Sequence, residues 1–317
     1  MKFKKSIFLG IIAIIALYAI FLIMSDVQII AEKINNFNHQ YLLIILPLIP
    51  LSWVILFFRW HFLLKNSDMV APYKTNFLIF VSGFALGITP GKVGELIKSQ
   101  LLKDKFNFPR TKSAPIVIVE KFYDFFAIAV ISFIGIWFFT PSVYVFLFLV
   151  SIIAIFYLLT SSEKIFLKFI GISKRIKFLK TFTEQLPESF TIIQNSTRKK
   201  IFPISLSLSI AFWVTESIIA YLVLLSFGVN ILDSLEFFSI YVTSIILGVI
   251  SFLPLGIGVV EGSLVGFLTM DGIEFNLATA LVVFIRLFTR WIAVSVGFIA
   301  LKFTNNLTNF SKDKNEL

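Results

Sequence analysis

Apolar runs of roughly 20 residues, the length a helix needs to cross a bilayer core, alternate with short lysine-rich stretches along this chain. The pattern predicts full crossings at about 7–24, 41–60, 114–138, 142–160, 201–227 and 276–300. Two more apolar stretches, 76–102 and 236–270, are interrupted by Thr89-Pro-Gly-Lys-Val-Gly-Glu95 and by Pro254-Leu-Gly-Ile-Gly-Val-Val-Glu261. Proline removes a backbone donor and glycine loosens a helix, so neither stretch is expected to run as one continuous helix. Pro90, Gly91, Gly94, Pro254, Gly256 and Gly258 are the expected break positions.

Charge placement decides whether the broken stretches cross or turn back. If both are re-entrant hairpins, loops on the side of Lys2, Lys4 and Lys5 hold 21 Lys and Arg, and the opposite loops hold Lys33 alone. If both cross, eight basic residues lie inside and fourteen outside, against the inward bias of positive charge. The hairpin reading wins. Three full crossings separate the hairpins, so they open on opposite faces, the first from the cytoplasm and the second from outside. The expected fold is all-α and polytopic, with about six transmembrane helices and two re-entrant hairpins in an inverted repeat. Broken helices that meet near the midplane recur in transporters of this design. One transmembrane domain, 1–303, then holds repeat modules at about 76–138 and 236–300, with a polar tail at 304–317.

Both termini are expected in the cytoplasm of a multi-pass cell-membrane protein. The start resembles a signal peptide, but its apolar part to Met24 is too long and no small-residue cleavage site follows, so it reads as a retained helix. The segment 161–200 mixes Lys and Arg with Ile165, Phe166, Phe169 and Ile176, and reads as a basic amphipathic helix on the anionic leaflet.

At 58% hydrophobic residues with 39 Phe, the chain leaves no room for a sizeable soluble domain. The net charge of +10 follows from cytoplasmic loops and is not a nucleic-acid signal. Absence of Cys excludes disulfides and thiolate metal sites, and His39 and His61 lie too far apart for a His-based one. No metal, cofactor or nucleotide-binding loop is expected.

Ionisable residues within the apolar stretches are candidate functional groups, because burying charge in a bilayer is expensive. Glu95 is followed by Glu120 and Asp124 at offsets of 25 and 29, and Glu261 by Arg286 and Arg290 at the same offsets. Residues four apart share a helix face. The acidic and basic pairs could meet near the middle of the protein, either as a clamp between repeats or as a site for a phosphate-bearing headgroup. The planar arginine fork suits the second role. Glu95 and Glu261 each follow a break, where a carboxylate can cap the next half-helix or contact a cationic group. Lys92 and Lys98 flank Glu95, Lys121 is expected to snorkel or join the acids, and Glu216 to pair with a nearby cation.

The motifs Thr89-Pro-Gly-Lys-Val-Gly-Glu95, Glu120-Lys-Phe-Tyr-Asp124, Pro254-Leu-Gly-Ile-Gly-Val-Val-Glu261-Gly and Arg286-Leu-Phe-Thr-Arg290 resemble a known family over about residues 5–303. This is the lysylphosphatidylglycerol synthetase transmembrane-region family of flippase-like membrane proteins. The resemblance carries Glu95, Glu120, Asp124, Glu261, Arg286 and Arg290 to family motif positions; at Lys92 the family often has another basic residue. It implies translocation of a phospholipid or polyprenyl-phosphate-linked headgroup between leaflets. Membrane lipids, anionic or phosphate-bearing, are the expected partners, with a separate lipid-modifying enzyme as a further one. No synthetase or glycosyltransferase domain is expected, so the chain is read as a non-enzyme. An intramembrane lipid-modifying enzyme using paired carboxylates and a non-transporting accessory subunit are the competing readings.

Overall fold

The structure, a computed structural model, describes residues 37–166, 168, 186–198 and 200–313, and among these it contains helices and no β-strand. The expected crossing at 7–24 and much of the 161–200 segment lie outside the described residues. In chain order the helices are α1 (Leu42–Lys65), α2 (Tyr73–Leu86), α3 (Ile97–Phe106), α4 (Arg110–Gly135), α5 (Ser142–Ser161) and α6 (Leu186–Ser196). They continue as α7 (Ile201–Ser226), α8 (Ser234–Ile250), α9 (Val259–Met270), α10 (Phe275–Arg286) and α11 (Ile292–Asp313).

Among the described residues, four helical stretches are long and apolar enough to cross a membrane: His39–Lys65, Ser142–Ser161, Ile201–Ser226 and Phe275–Thr304. They match four expected crossings. The expected crossing at 114–138 is α4, whose 26 residues carry Glu120, Lys121 and Asp124 in the middle. At ~1.5 Å per residue it is ~39 Å long. Asn38 caps the first turn before α1 through Gln40 N–H, and Asp233 caps α8 through Leu235 N–H, each satisfying a donor that helix geometry leaves open.

Both interrupted stretches double back. In the first, α2 leads through a 3-10 turn (Pro90–Leu96) into α3, and the Lys98 stem lies against Gly83. Thr89 Oγ1 accepts from Gly94 N–H at 2.6 Å and donates to Leu86 O at 2.8 Å. A Cβ on Gly94 would stand 2.2 Å from that carbonyl, so only glycine fits the turn. In the second, α8 returns as α9 through a short 3-10 turn (Pro254–Gly256) with left-handed backbone at Phe252, Leu255, Gly256 and Gly258. Gly248 and Gly256 touch backbone to backbone where the arms cross. The two turns contact each other, and Ile88, Ile257, Leu255 and Trp291 form a small apolar plug between them.

The core has two parts, one around each hairpin. One gathers side chains of α1, α4, α5 and α7 to α10, the other those of α1 to α4, α6 and the adjoining ends of α7 and α11. Helix α11 packs most closely on α2: a Cβ on Gly297 would lie 2.4 Å from Ala85 N. Helix α5 leaves Tyr144, Leu147, Ile155, Tyr157 and Leu158 exposed, as suits a helix whose solvent is lipid.

Two features add to the expectations. The polar stretch from Thr304 continues α11 as helix to Asp313, and residues 305–313 contain no Gly or Pro. Within the 161–200 segment, α6 packs on α4: Phe190 and Ile193 are buried and Tyr123 Oη donates to Ser196 O at 2.7 Å.

Candidate functional site

Among the described residues, ten ionisable side chains gather inside the bundle. They fall into linked groups around the meeting point of the two hairpin turns.

The first group surrounds the acids of α4. Glu120 and Asp124, one turn apart, are 2% and 9% exposed. Arg59 of α1, itself 1% exposed, reaches both. Its Nη1 lies 2.6 Å from Asp124 Oδ1 and 2.6 Å from Ser209 Oγ on α7, and its Nη2 lies 3.6 Å from Glu120 Oε1. Lys98 Nζ sits 2.6 Å from Glu120 Oε2 and 3.9 Å from Glu95 Oε2. It also stands 4.3 Å from the Trp60 ring centre and 5.3 Å from that of Phe80, positions where a cation gains from the ring face. Trp60 is oriented in turn by donating to Asn76 Oδ1 at 3.0 Å. Lys121 Nζ lies 2.8 Å from Glu95 Oε2 and 3.7 Å from Asp124 Oδ2, so it joins the acids.

The second group pins the second hairpin. Arg286 Nε lies 2.7 Å from Glu261 Oε1, and its Nη2 donates to Leu255 O at 2.9 Å. Glu261 Oε2 accepts from Gly258 N–H at 2.7 Å, so this glutamate caps α9 as well as pairing. Arg286 thus holds both ends of a turn whose Leu255 sits at φ +53°, a backbone state that persists only when its surroundings fix it. Arg290 pairs with Glu216 of α7 instead, Nη1 to Oε2 at 2.6 Å, and Tyr241 Oη donates to the same oxygen at 3.3 Å. Arg290 lies within a π turn, Leu287–Trp291, that begins directly after Arg286. Such turns are frequent at functional sites.

The pairing differs from the direct acid-to-arginine clamp that spacing suggested. Each arginine of α10 and the π turn takes a glutamate from elsewhere, and the α4 acids take Arg59, Lys98 and Lys121. The reason is packing: α1 and α7 lie beside α4, and they bring Arg59 and Ser209 closer than the arginines come. Glu95 does not cap a half-helix; it stands inside the 3-10 turn with its carboxylate on Lys121 and Lys98. Glu216 does pair with a cation. The Lys92 side chain lies outside what the structure describes.

Arg59 was not among the sequence candidates. It stands at the end of the run expected at 41–60, where an arginine is ordinary, but the helix continues to Lys65 and carries it inside. The run Phe62-Leu63-Leu64 that follows, interrupted from Trp60 only by His61, is the signal that would have placed it.

Two adjoining cavities lie between the groups. One, of about 90 Å³, is lined by Arg59, Lys98, Glu120, Glu216 and the aromatic rings of Trp53 and Phe80, among others. The other, of about 100 Å³, is lined by Arg286, Phe125, Ile245 and the second turn. Lys121, Asp124, Trp213, Leu255 and Arg290 line both. Among the described residues no cluster of His, Asp and Glu is arranged to hold a metal ion.

Residues 7–297 match the family described as lysylphosphatidylglycerol synthase TM region. A UPF0104 membrane protein of Methanothermobacter thermautotrophicus is 24% identical over 96% of this chain and 96% of its own length. A UPF0104 membrane protein of Methanocaldococcus jannaschii is 27% identical over 68% of this chain and 92% of its own. These matches, with the helical fold and its apolar surface, make the chain an integral membrane protein belonging to the lysylphosphatidylglycerol synthase transmembrane-region family.

Proposed function

We propose that this chain moves a phosphate-bearing lipid headgroup between the leaflets of the cell membrane. The headgroup passes through the two adjoining cavities while the acyl chains stay in lipid. In this reading α1, α4, α5, α7 and α10–α11 cross the bilayer together with the segment 7–24, and both hairpins are re-entrant with their turns meeting near the midplane. Both termini then lie in the cytoplasm. The chain does no covalent chemistry and needs no cofactor.

The observation that supports it best is Arg290. It lines both cavities, donates from Nη1 to Glu216 Oε2 and to Thr289 O, and sits within a π turn. A phosphate oxygen that takes the guanidinium frees Glu216, which is the exchange a transit site needs. Irregular backbone at membrane depth is tolerated where it lines such a cavity.

The test is fluorescent-phospholipid movement in proteoliposomes. Arg286→Ala with Arg290→Ala is expected to slow it at least about tenfold, the value of losing one charge-assisted hydrogen bond. Arg290→Lys keeps the charge and loses the fork, so it should slow transport several-fold while eluting as a folded protein. An unchanged rate in both refutes the arginine role. The chain has no Cys, so single cysteines report topology cleanly. Lys103→Cys should label only from the cytoplasm and Glu274→Cys only from outside; labelling of both from one face excludes the opposed hairpins.

A further inference from the structure

One buried amide joins the half-buried His61 to the ion pairs of the first hairpin. Asn76 of α2 is fully buried, and the two ends of its side chain meet different partners. Oδ1 accepts from Trp60 Nε1–H at 3.0 Å, and Nδ2 lies 3.0 Å from His61 Nδ1. His61 stacks on the exposed Tyr73 ring, centres 4.3 Å apart. Trp60 in turn lies against Lys98 Nζ, which holds Glu120 at 2.6 Å. A line of contacts thus runs from the surface, through one amide and one indole, to a buried ion pair.

Hydrogen-bond chemistry fixes each proton in this line. An indole only donates, so the amide oxygen must face Trp60. The amide nitrogen, also a donor only, then faces His61, and Nδ1 has to be the bare nitrogen of a neutral ring whose proton is on Nε2. A protonated imidazole donates from both nitrogens. It would set Nδ1–H against the amide N–H, and turning the amide over would set that N–H against the indole. No orientation of Asn76 satisfies Trp60 and a protonated His61 together, and a buried donor left without an acceptor is costly. The cation wins the contest. A hydrogen bond from a charged donor is about twice as strong as a neutral one, and the Tyr73 face holds the charged ring in place. Among the described residues the charge that bears on His61 is Lys65, one turn further along α1. Helix α2 brings Tyr73 and Asn76 to it, and no carboxylate pairs with it.

We propose that His61 is a proton-operated latch on the first hairpin. Neutral His61 fixes the Asn76 amide, and Asn76 fixes the Trp60 ring against Lys98. Protonation turns the amide, frees the indole and loosens the seat of Lys98, so α3 and the 3-10 turn before it part more readily from α1 and α2. In the proposed topology this end of α1 faces the cytoplasm, and the latch answers to cytoplasmic acidity. Its bearing on transport rests on the reading above, but its test involves no lipid movement, so the two can fail separately.

His61→Gln supplies an amide oxygen that accepts from Asn76 at every pH, which holds the latch shut. Both proteins, full-length in neutral-lipid nanodiscs, are compared by hydrogen–deuterium exchange at about pH 5 and about pH 8, the two ends of the histidine range. Trp60→Phe assigns the relevant indole among the five Trp. At the lower pH that indole is expected to exchange about tenfold faster in the parent than in His61→Gln, the effect of one lost hydrogen bond. Amides of residues 90–106, the turn and α3, should exchange several-fold faster, and at the higher pH the two proteins should match. Equal exchange under both conditions overturns the latch. So does a fast indole with unchanged amides at 90–106, because the effect then ends at Trp60. If His61→Gln fails to fold, 15N spectra of the histidines decide, with His39→Gln removing the chain's other one. The His61 proton is expected on Nε2 at the higher pH, and the Trp60 indole signal is expected to titrate in step with His61. A proton on Nδ1, or an indole signal that stays constant across the range, overturns the proposal.

Discussion

Arg59→Ala is expected to cost about 3–5 kcal/mol of stability, the range seen when one partner of a buried ion pair is removed and the other is left. Arg59 is the residue that joins Asp124, Glu120 and Ser209, and so ties α1 to α4 and α7. Its removal leaves Glu120 with Lys98 but takes from Asp124 its closest cation, at 2.6 Å, with Lys121 3.7 Å away. Unfolding in mixed micelles, followed by tryptophan fluorescence, measures the loss. Arg59→Met combined with Asp124→Asn should recover a good part of it, because replacing both charges removes the uncompensated one. A single variant within about 1 kcal/mol of the parent would mean that the ion set carries no net structural weight.

The second large effect is expected at Gly256. Its φ of +66° is a left-handed conformation, and a Cβ there would meet Gly248 Cα at 2.7 Å and Val260 Cγ2 at 2.9 Å. Gly256→Ala therefore combines about 1–2 kcal/mol of backbone strain with about 1–3 kcal/mol of overpacking. It also forces α8 and α9 apart beside Leu255, whose carbonyl holds Arg286. Gly272→Ala is the control. Gly272 has φ +88° with nothing within 4 Å of a Cβ, so it carries the backbone part alone. Thermal unfolding of both variants separates the parts: equal losses would show that the close approach of the hairpin arms matters little.

The sequence made the helices legible because membrane crossings are long and uniformly apolar. Expected runs at 142–160 and 201–227 lie within a residue of Ser142–Ser161 and Ile201–Ser226. The breaks at Pro90 and Pro254 were legible too, since proline and glycine act locally. Charged residues stand out against apolar text, which is why Glu95, Glu120, Asp124, Glu261, Arg286 and Arg290 were found. Their partners were a different matter. Which cation meets which acid depends on which helices are neighbours, and nothing periodic in the sequence encodes that Arg59 of α1 meets Asp124 or that Arg290 meets Glu216. The π turn was equally hidden, since its one extra residue per turn leaves no mark in the apolar pattern at 276–300.

The matched charges have an electrical consequence. Arg59, Lys98, Lys121, Arg286 and Arg290 balance Glu95, Glu120, Asp124, Glu216 and Glu261. When these side chains shift together across the transmembrane field they displace no net gating charge. The field does about 2.3 kcal/mol of work per elementary charge per 100 mV, and all of it then falls on the cargo. A zwitterion would cross an energised membrane as fast as a resting one, and an anion would be driven outward from a cell that is negative inside.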